Sequence, residues 1–184
     1  MKLAILYHSE SGNTELAAKQ IAAGAISIPN TEVRCISLNQ LTPEDEEYLE
    51  QSSAVIFGTP TYVANMSWKL KQFFDTKTKL KLSGKLGAAF ATENFANGGG
   101  GELAIMNIMS HMLVKGMLCY SSGVEFGQPY IHIGPTLVRG HIEEKAEHCK
   151  IFGQRVAWKA HQLFDRLGAQ EFSESVQFHE IFPR

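Results

Sequence analysis

Short apolar runs alternate with longer segments of helical periodicity along the 184-residue chain, and this alternation restricts the fold more than any other feature. A strand covered on both faces reads as a nearly continuous apolar run, and parallel neighbours need crossovers between them. Residues 2–7, 32–37, 53–57, 86–91 and 117–121 read as five such strands. After the first, Ala17, Ile21, Gly24, Ala25 and Ile28 recur at helical spacing until Pro29-Asn30 stops the pattern. Pro43 opens a short acidic helix, Met66, Leu70, Phe73 and Phe74 form a third stripe, and residues 102–115 a fourth helix. Residues 142–167 form a long last helix with Cys149, Phe152, Val156, Leu163 and Leu167 on one face. The pattern predicts an α/β fold, a doubly wound five-stranded parallel sheet with helices on both faces. Periodicity does not give strand order. The order 2-1-3-4-5 would open a crevice between strands one and three, beyond their carboxyl ends.

The length suits one well-buried core and not two ordinary domains. Residues 1–168 are expected to form that domain. The tail, 169–184, carries Phe172, Val176, Phe178, Ile181 and Phe182, which predicts packing on the domain or on a subunit partner. A formal net charge of -2 leaves no basic footprint for nucleic acid. No apolar run approaches the roughly 20 residues that cross a bilayer, so no membrane partner is expected. The apolar opening is interrupted from His8 onward, before any signal-cleavage pattern. Cys35, Cys119 and Cys149 are odd in number and widely spaced, which fits reduced thiols in a cytoplasmic protein.

Three loops follow the carboxyl ends of strands one, three and four. The first reads His8-Ser9-Glu10-Ser11-Gly12-Asn13-Thr14 and runs into a helix. A helix N-terminus offers free N–H groups and a favourable dipole to a phosphate, and Ser9, Ser11, Asn13 and Thr14 add polar side chains. No Lys or Arg lies in the loop, so it is neither a Walker loop nor, lacking G-x-G-x-x-G, a dinucleotide fingerprint. It suits a mononucleotide; the competing account is a helix cap and nothing more. The second loop, residues 58–67, sets Pro60 in a rigid turn, offers the Thr59 and Thr61 hydroxyls, and presents the Tyr62 ring. The third, residues 92–102, has four consecutive glycines, Gly98 to Gly101, whose amides can face one ligand. A glycine run alone also fits a mobile linker.

The first loop resembles the phosphate loop of flavodoxins, which bind FMN there. The second resembles the Gly-Thr-Pro-Thr…Asn-Met-Ser segment of WrbA-type NAD(P)H:quinone oxidoreductases, FMN proteins of the same fold. The likeness covers residues 1–120 clearly and the last helix loosely. It implies the order 2-1-3-4-5 and a bound FMN held by Ser9, Ser11, Gly12, Asn13, Thr14, Pro60, Thr61, Tyr62, Val63, Asn65, Thr92, Glu93, Asn94, Phe95, Asn97, Gly98 and Gly99. The chain departs from the oxidoreductase pattern at Tyr62, where an arginine is usual, and at Lys115, where a histidine is usual. The lysine-rich stretch 77–85 also lacks a tryptophan placed near the quinone pocket.

The resemblance implies an FMN-dependent oxidoreductase that passes hydride from NAD(P)H through flavin to a quinone or other small acceptor. The chain shows no long insertion between strands two and three of the kind through which the WrbA-type proteins assemble, so a homodimer is expected, with a tetramer as the alternative. Backbone donors at Gly98 to Gly101 would steady charge on the ring, and Glu93 would oppose it if turned inward. No catalytic side chain and no metal is assigned. The competing function is a flavodoxin-type one-electron carrier. His8 beside the first loop reads as solvated, with a donor to the phosphate as the alternative. His141 and His148 read as surface residues without a third ligand, and Cys119 as a small core residue. The lysines between Lys69 and Lys85 read as a solvated face, with attraction of an anionic cofactor or partner protein as the alternative.

Overall fold

The computed structural model describes residues 1–165; the tail, 169–184, lies outside the described residues, and the last helix ends at Phe164, before the expected residue 167. The strands β1 (Lys2–Tyr7), β2 (Glu32–Ser37), β3 (Ala54–Pro60), β4 (Leu86–Glu93) and β5 (Leu118–Cys119) form a parallel sheet in the order β2-β1-β3-β4-β5. The helices are α1 (Asn13–Ile26), α2 (Pro43–Gln51), α3 (Trp68–Thr76), α4 (Gly101–Val114) and α5 (Ala146–Phe164).

Strand alternation sorts the side chains into two cores. Leu3, Ile5 and Tyr7 of β1 pack with Ala17 and Ile21 of α1 and with Phe152 and Val156 of α5. Ala4 and Leu6 point the other way, toward Leu49 of α2, Leu70 and Phe73 of α3, and Ile105 and Ile108 of α4. Local chemistry starts the helices where it should. Thr42 and Asp45 make a reciprocal capping box with Pro43 in the first turn of α2. Ser67 Oγ accepts from Leu70 N at 3.3 Å to cap α3. Helices α1 and α5 touch backbone to backbone at Gly24, where a Cβ would strike the Lys150 carbonyl. Only glycine permits that approach.

The fifth strand differs from its expected form. Residues 118–119 pair with the start of β4, and a further parallel strand, β6 (Thr136–Val138), pairs with its end at residues 91–93. Segment 120–135 leaves the sheet between them. Arg155 of α5, fully buried, holds it there: Nη1 donates to Ser122 Oγ and Pro129 O, both at 3.1 Å, and Nη2 to Gln128 O at 3.3 Å and Phe126 O at 3.4 Å. An interrupted edge strand defeats a reading based on continuous apolar runs. The last helix likewise begins at Ala146, after a 3-10 turn at Glu143–Lys145, rather than at residue 142.

Register places the loops. Pro60 lies opposite Thr92 and Tyr7 opposite Gly58, so three strand ends finish at one sheet edge.

Candidate functional site

Thr92 at the end of β4 ties the three loops together. Its carbonyl accepts from Thr61 N at 2.7 Å, and its hydroxyl shares a 2.8 Å hydrogen bond with Thr14 Oγ1 in the first turn of α1. The third loop also rests on the second: a Cβ on Gly100 would sit 2.7 Å from Ala64 Cα, and Gly100 has a φ of +85°.

Helix α1 starts at Gly12 with no side-chain cap. Among the described residues, the backbone N–H groups of residues 9–14 find no protein acceptor, while Glu15 N reaches Ser9 Oγ at 3.4 Å. Six successive free amides at a helix N-terminus make a concavity of positive potential. Ser11 and Asn13 do not cap the helix: Asn13 Nδ2 donates to Ser11 Oγ at 2.8 Å instead of the side chains engaging the backbone.

Beside these amides lies a cleft of about 220 Å³, lined among others by Ser11, Asn13, Thr14, Thr61, Tyr62 and Asn94. Pro60, Thr92 and Glu93 complete the predicted residues on its wall. Thr61 Oγ1 is buried there without a partner, as a hydroxyl waiting for a ligand would be. Asn97, Gly98 and Gly99 line an adjoining hollow with Ala64. Ser9 and Gly12 are not on the cleft wall: Ser9 Oγ accepts from Glu15 N, and Gly12 takes a φ of +83° before α1. Asn65 does structural work: its N–H and carbonyl pair with Tyr62, and its Oδ1 accepts from Met66 N at 2.8 Å. Val63 and Phe95 project outward, 100% and 71% exposed, and form a rim rather than a wall.

Glu93 does turn inward, yet its charge is taken up. Its Oε2 accepts from Gly101 N at 2.8 Å, at the positive end of α4. This carboxylate occupies the α4 N-terminus that a ligand could otherwise use. Glu10 is engaged too: Oε1 lies 2.7 Å from His8 Nε2 and 3.5 Å from Lys69 Nζ. The hydrogen bond from His8 and then the Lys69 charge hold the Glu10 carboxyl below its ordinary range. Burial, followed by Glu10, raises the Tyr62 phenol.

Three residues take their place at the cleft only from the fold. His8 is buried, not solvated, with its ring 6.4 Å from that of Tyr62 and Nδ1 unpartnered. Lys69 is no mere solvated lysine: it donates to Asn39 Oδ1 at 2.6 Å, and Asn39 Nδ2 donates to Ser9 O at 2.8 Å, which braces the first loop. Arg139, just after β6, lines the cleft. None carried a motif. Elsewhere His141 pairs with Glu144 at 2.9 Å, and burial leads the causes that depress the His148 pKa. Cys119 is half-buried and donates to Met109 O, and all three cysteines are free thiols.

A flavodoxin family model matches residues 5–110. The chain belongs to the flavodoxin family. A flavodoxin of Clostridium saccharobutylicum is 44% identical over 164 residues, covering 89% of this chain and 100% of that protein. One from Aquifex aeolicus (strain VF5) is 32% identical over 165 residues, covering 86% and 87%. Among solved structures, a WrbA-like flavodoxin from Agrobacterium tumefaciens superposes with a TM-score of 0.66 at 26% identity, over 88% of this chain and 98% of the other. An archaeal flavodoxin gives a TM-score of 0.69 at 26% identity, over 87% and 99%.

These relatives overturn the NAD(P)H:quinone oxidoreductase reading, including NAD(P)H as the electron donor, because the curated proteins at 44% and 32% identity are named flavodoxin. Lys115, where a histidine is usual in the oxidoreductases, caps the far end of α4, and Gly116 O after it accepts from Gly84 N at 2.8 Å. No helix among the described residues is long and apolar enough to cross a membrane.

Proposed function

We propose that this flavodoxin binds FMN noncovalently in the three-loop cleft and serves as a one-electron carrier. The run of free amides at residues 9–14, opening on the cleft beside the unpartnered Thr61 hydroxyl, carries the reading. When bound, the flavin supplies the redox chemistry; the chain supplies position and electrostatics. Residues 9–14 would hold the phosphate through amides and the Ser11 and Thr14 hydroxyls. Tyr62 would lie along the ring, while the exposed Val63 and Phe95 would border its open edge. The carboxylates of Glu10 and Glu93, already engaged by His8 and Lys69 and by Gly101 N at the α4 N-terminus, would add little repulsion.

The test is to titrate purified apoprotein with FMN and then reduce the complex stepwise with dithionite. A yellow complex whose spectrum changes in two resolved one-electron stages, and which NADH and NADPH leave oxidised on a seconds timescale, is expected. Failure to take up FMN refutes the site. Rapid bleaching by a nicotinamide refutes the carrier role.

A further inference from the structure

The first loop carries no Lys or Arg of its own, and the fold brings Arg139 to the cleft beside it. Arg139 N donates to Glu93 O at 2.8 Å, which continues the β6 ladder one residue beyond the strand. Two residues earlier, Leu137 is buried in the core formed by α1 and α5. Alternation therefore sends Arg139 to the face that carries α1, and its side chain lines the cleft together with Ser11, Asn13 and Thr14. Two carboxylates share that cleft. Glu10 is committed to His8 and Lys69, and Glu93 to Gly101 N. Among the described residues no carboxylate pairs with Arg139. A planar guanidinium without an anionic partner, beside six amides that also lack acceptors, is matched to a phosphate oxygen.

We propose, building on the FMN reading above, that Arg139 is a specificity determinant whose guanidinium engages the mononucleotide phosphate and selects phosphorylated flavin over riboflavin. The amides shape the site; Arg139 adds the charge that tells a dianion from a neutral hydroxyl. Because the group is exposed at the cleft mouth, its contribution falls with added salt.

The experiment measures FMN and riboflavin affinity by quenching of flavin fluorescence, on full-length apoprotein at low and at high salt. For Arg139→Gln, FMN affinity is expected to fall about tenfold at low salt, the scale of one charge-assisted hydrogen bond, with less loss at high salt. Riboflavin affinity should stay within about twofold, the level expected when no phosphate contact is lost. Arg139→Glu should reduce FMN affinity further and again spare riboflavin. Equal losses for both flavins, or FMN affinity unchanged in both variants, would overturn the assignment. If the wild-type chain takes up FMN normally, such a result leaves the functional reading standing. If the wild type binds neither flavin, that reading fails and this inference falls with it.

Discussion

Thr14 Oγ1 and Thr92 Oγ1 meet at 2.8 Å, a buried hydroxyl pair that joins the first turn of α1 to the end of β4 across 78 positions of sequence. Since Thr92 O also accepts from Thr61 N, one residue fixes the relative position of all three loops. Replacing Thr92 with Val keeps the shape, removes one partner and leaves the Thr14 hydroxyl buried and unpaired. Stability should drop by about 1–3 kcal/mol. The double variant Thr14→Val, Thr92→Val should recover part of that loss, because neither side then keeps an orphaned group. Urea unfolding of the three variants measures this, and strictly additive losses would show that the pair does not act as a unit.

Arg155 sets a second test. Its guanidinium is fully buried and donates to Ser122, Phe126, Gln128 and Pro129, so it fastens segment 120–135 to α5. Burial is the leading cause that lowers its pKa. Arg155→Met removes the donors and strands four acceptors. A loss on the order of 3 kcal/mol or more is expected, within the range for breaking a buried charged network. Hydrogen exchange should localise the damage to residues 120–135, with β1 and β3 still protected; uniform loss of protection would assign Arg155 to the global core instead.

How far the sequence reached depends on whether a feature is local. The strands and helices were legible because burial on both faces writes itself into apolar runs such as Val55-Ile56-Phe57. The loops stood out because Ser, Gly, Asn and Thr crowd the turns that follow strands one, three and four, which end at one sheet edge. Lys69, Arg139 and Arg155 did not, since a lone cation has no pattern until the fold supplies its neighbours. The same holds for the split fifth strand, whose two halves share only β4 as partner. Glu93 shows the converse: its inward turn was foreseen as a repulsive charge, whereas the α4 N-terminus converts it into a cap.

Val63 and Ala64 adopt φ values of +52° and +57° in the turn that pairs Tyr62 with Asn65. Two positive φ angles define the tight hairpin turn, which favours Asn and Gly and penalises a β-branched residue. Val63 is wholly exposed, so nothing in the apoprotein packing compensates. Val63→Asn should therefore raise stability by about 1 kcal/mol, the cost of a left-handed conformation for an L residue. A higher urea midpoint with an unchanged slope is the expected result. A lower midpoint would mean that Val63 makes contacts its exposure denies. If FMN affinity falls while stability rises, the strain serves the rim of the cleft, as strained backbone at binding sites does elsewhere.

Alkaline pH should unfold the protein through groups that burial keeps protonated. The Cys149 thiol, fully buried on α5, is pushed by burial from its ordinary 9.0 to about 12. Burial likewise lifts the Tyr7 phenol from 10.0 to about 12 and the Cys35 thiol to about 11. A folded pKa above the unfolded one means that the native state holds its proton while the unfolded chain gives it up. The stabilising contribution of Cys149 is thus complete below pH 9 and is lost progressively as pH rises toward 12. In that window the slope for one such group approaches about 1.4 kcal/mol per pH unit. Cys149→Ala deletes the titrating thiol, so its stability should decline less steeply between pH 9 and pH 11 even though it starts from a lower value. Urea unfolding at half-unit intervals reads the two slopes. Parallel curves would show that Cys149 titrates alike in both states and that the alkaline loss belongs to other buried groups such as Tyr7 and Cys35.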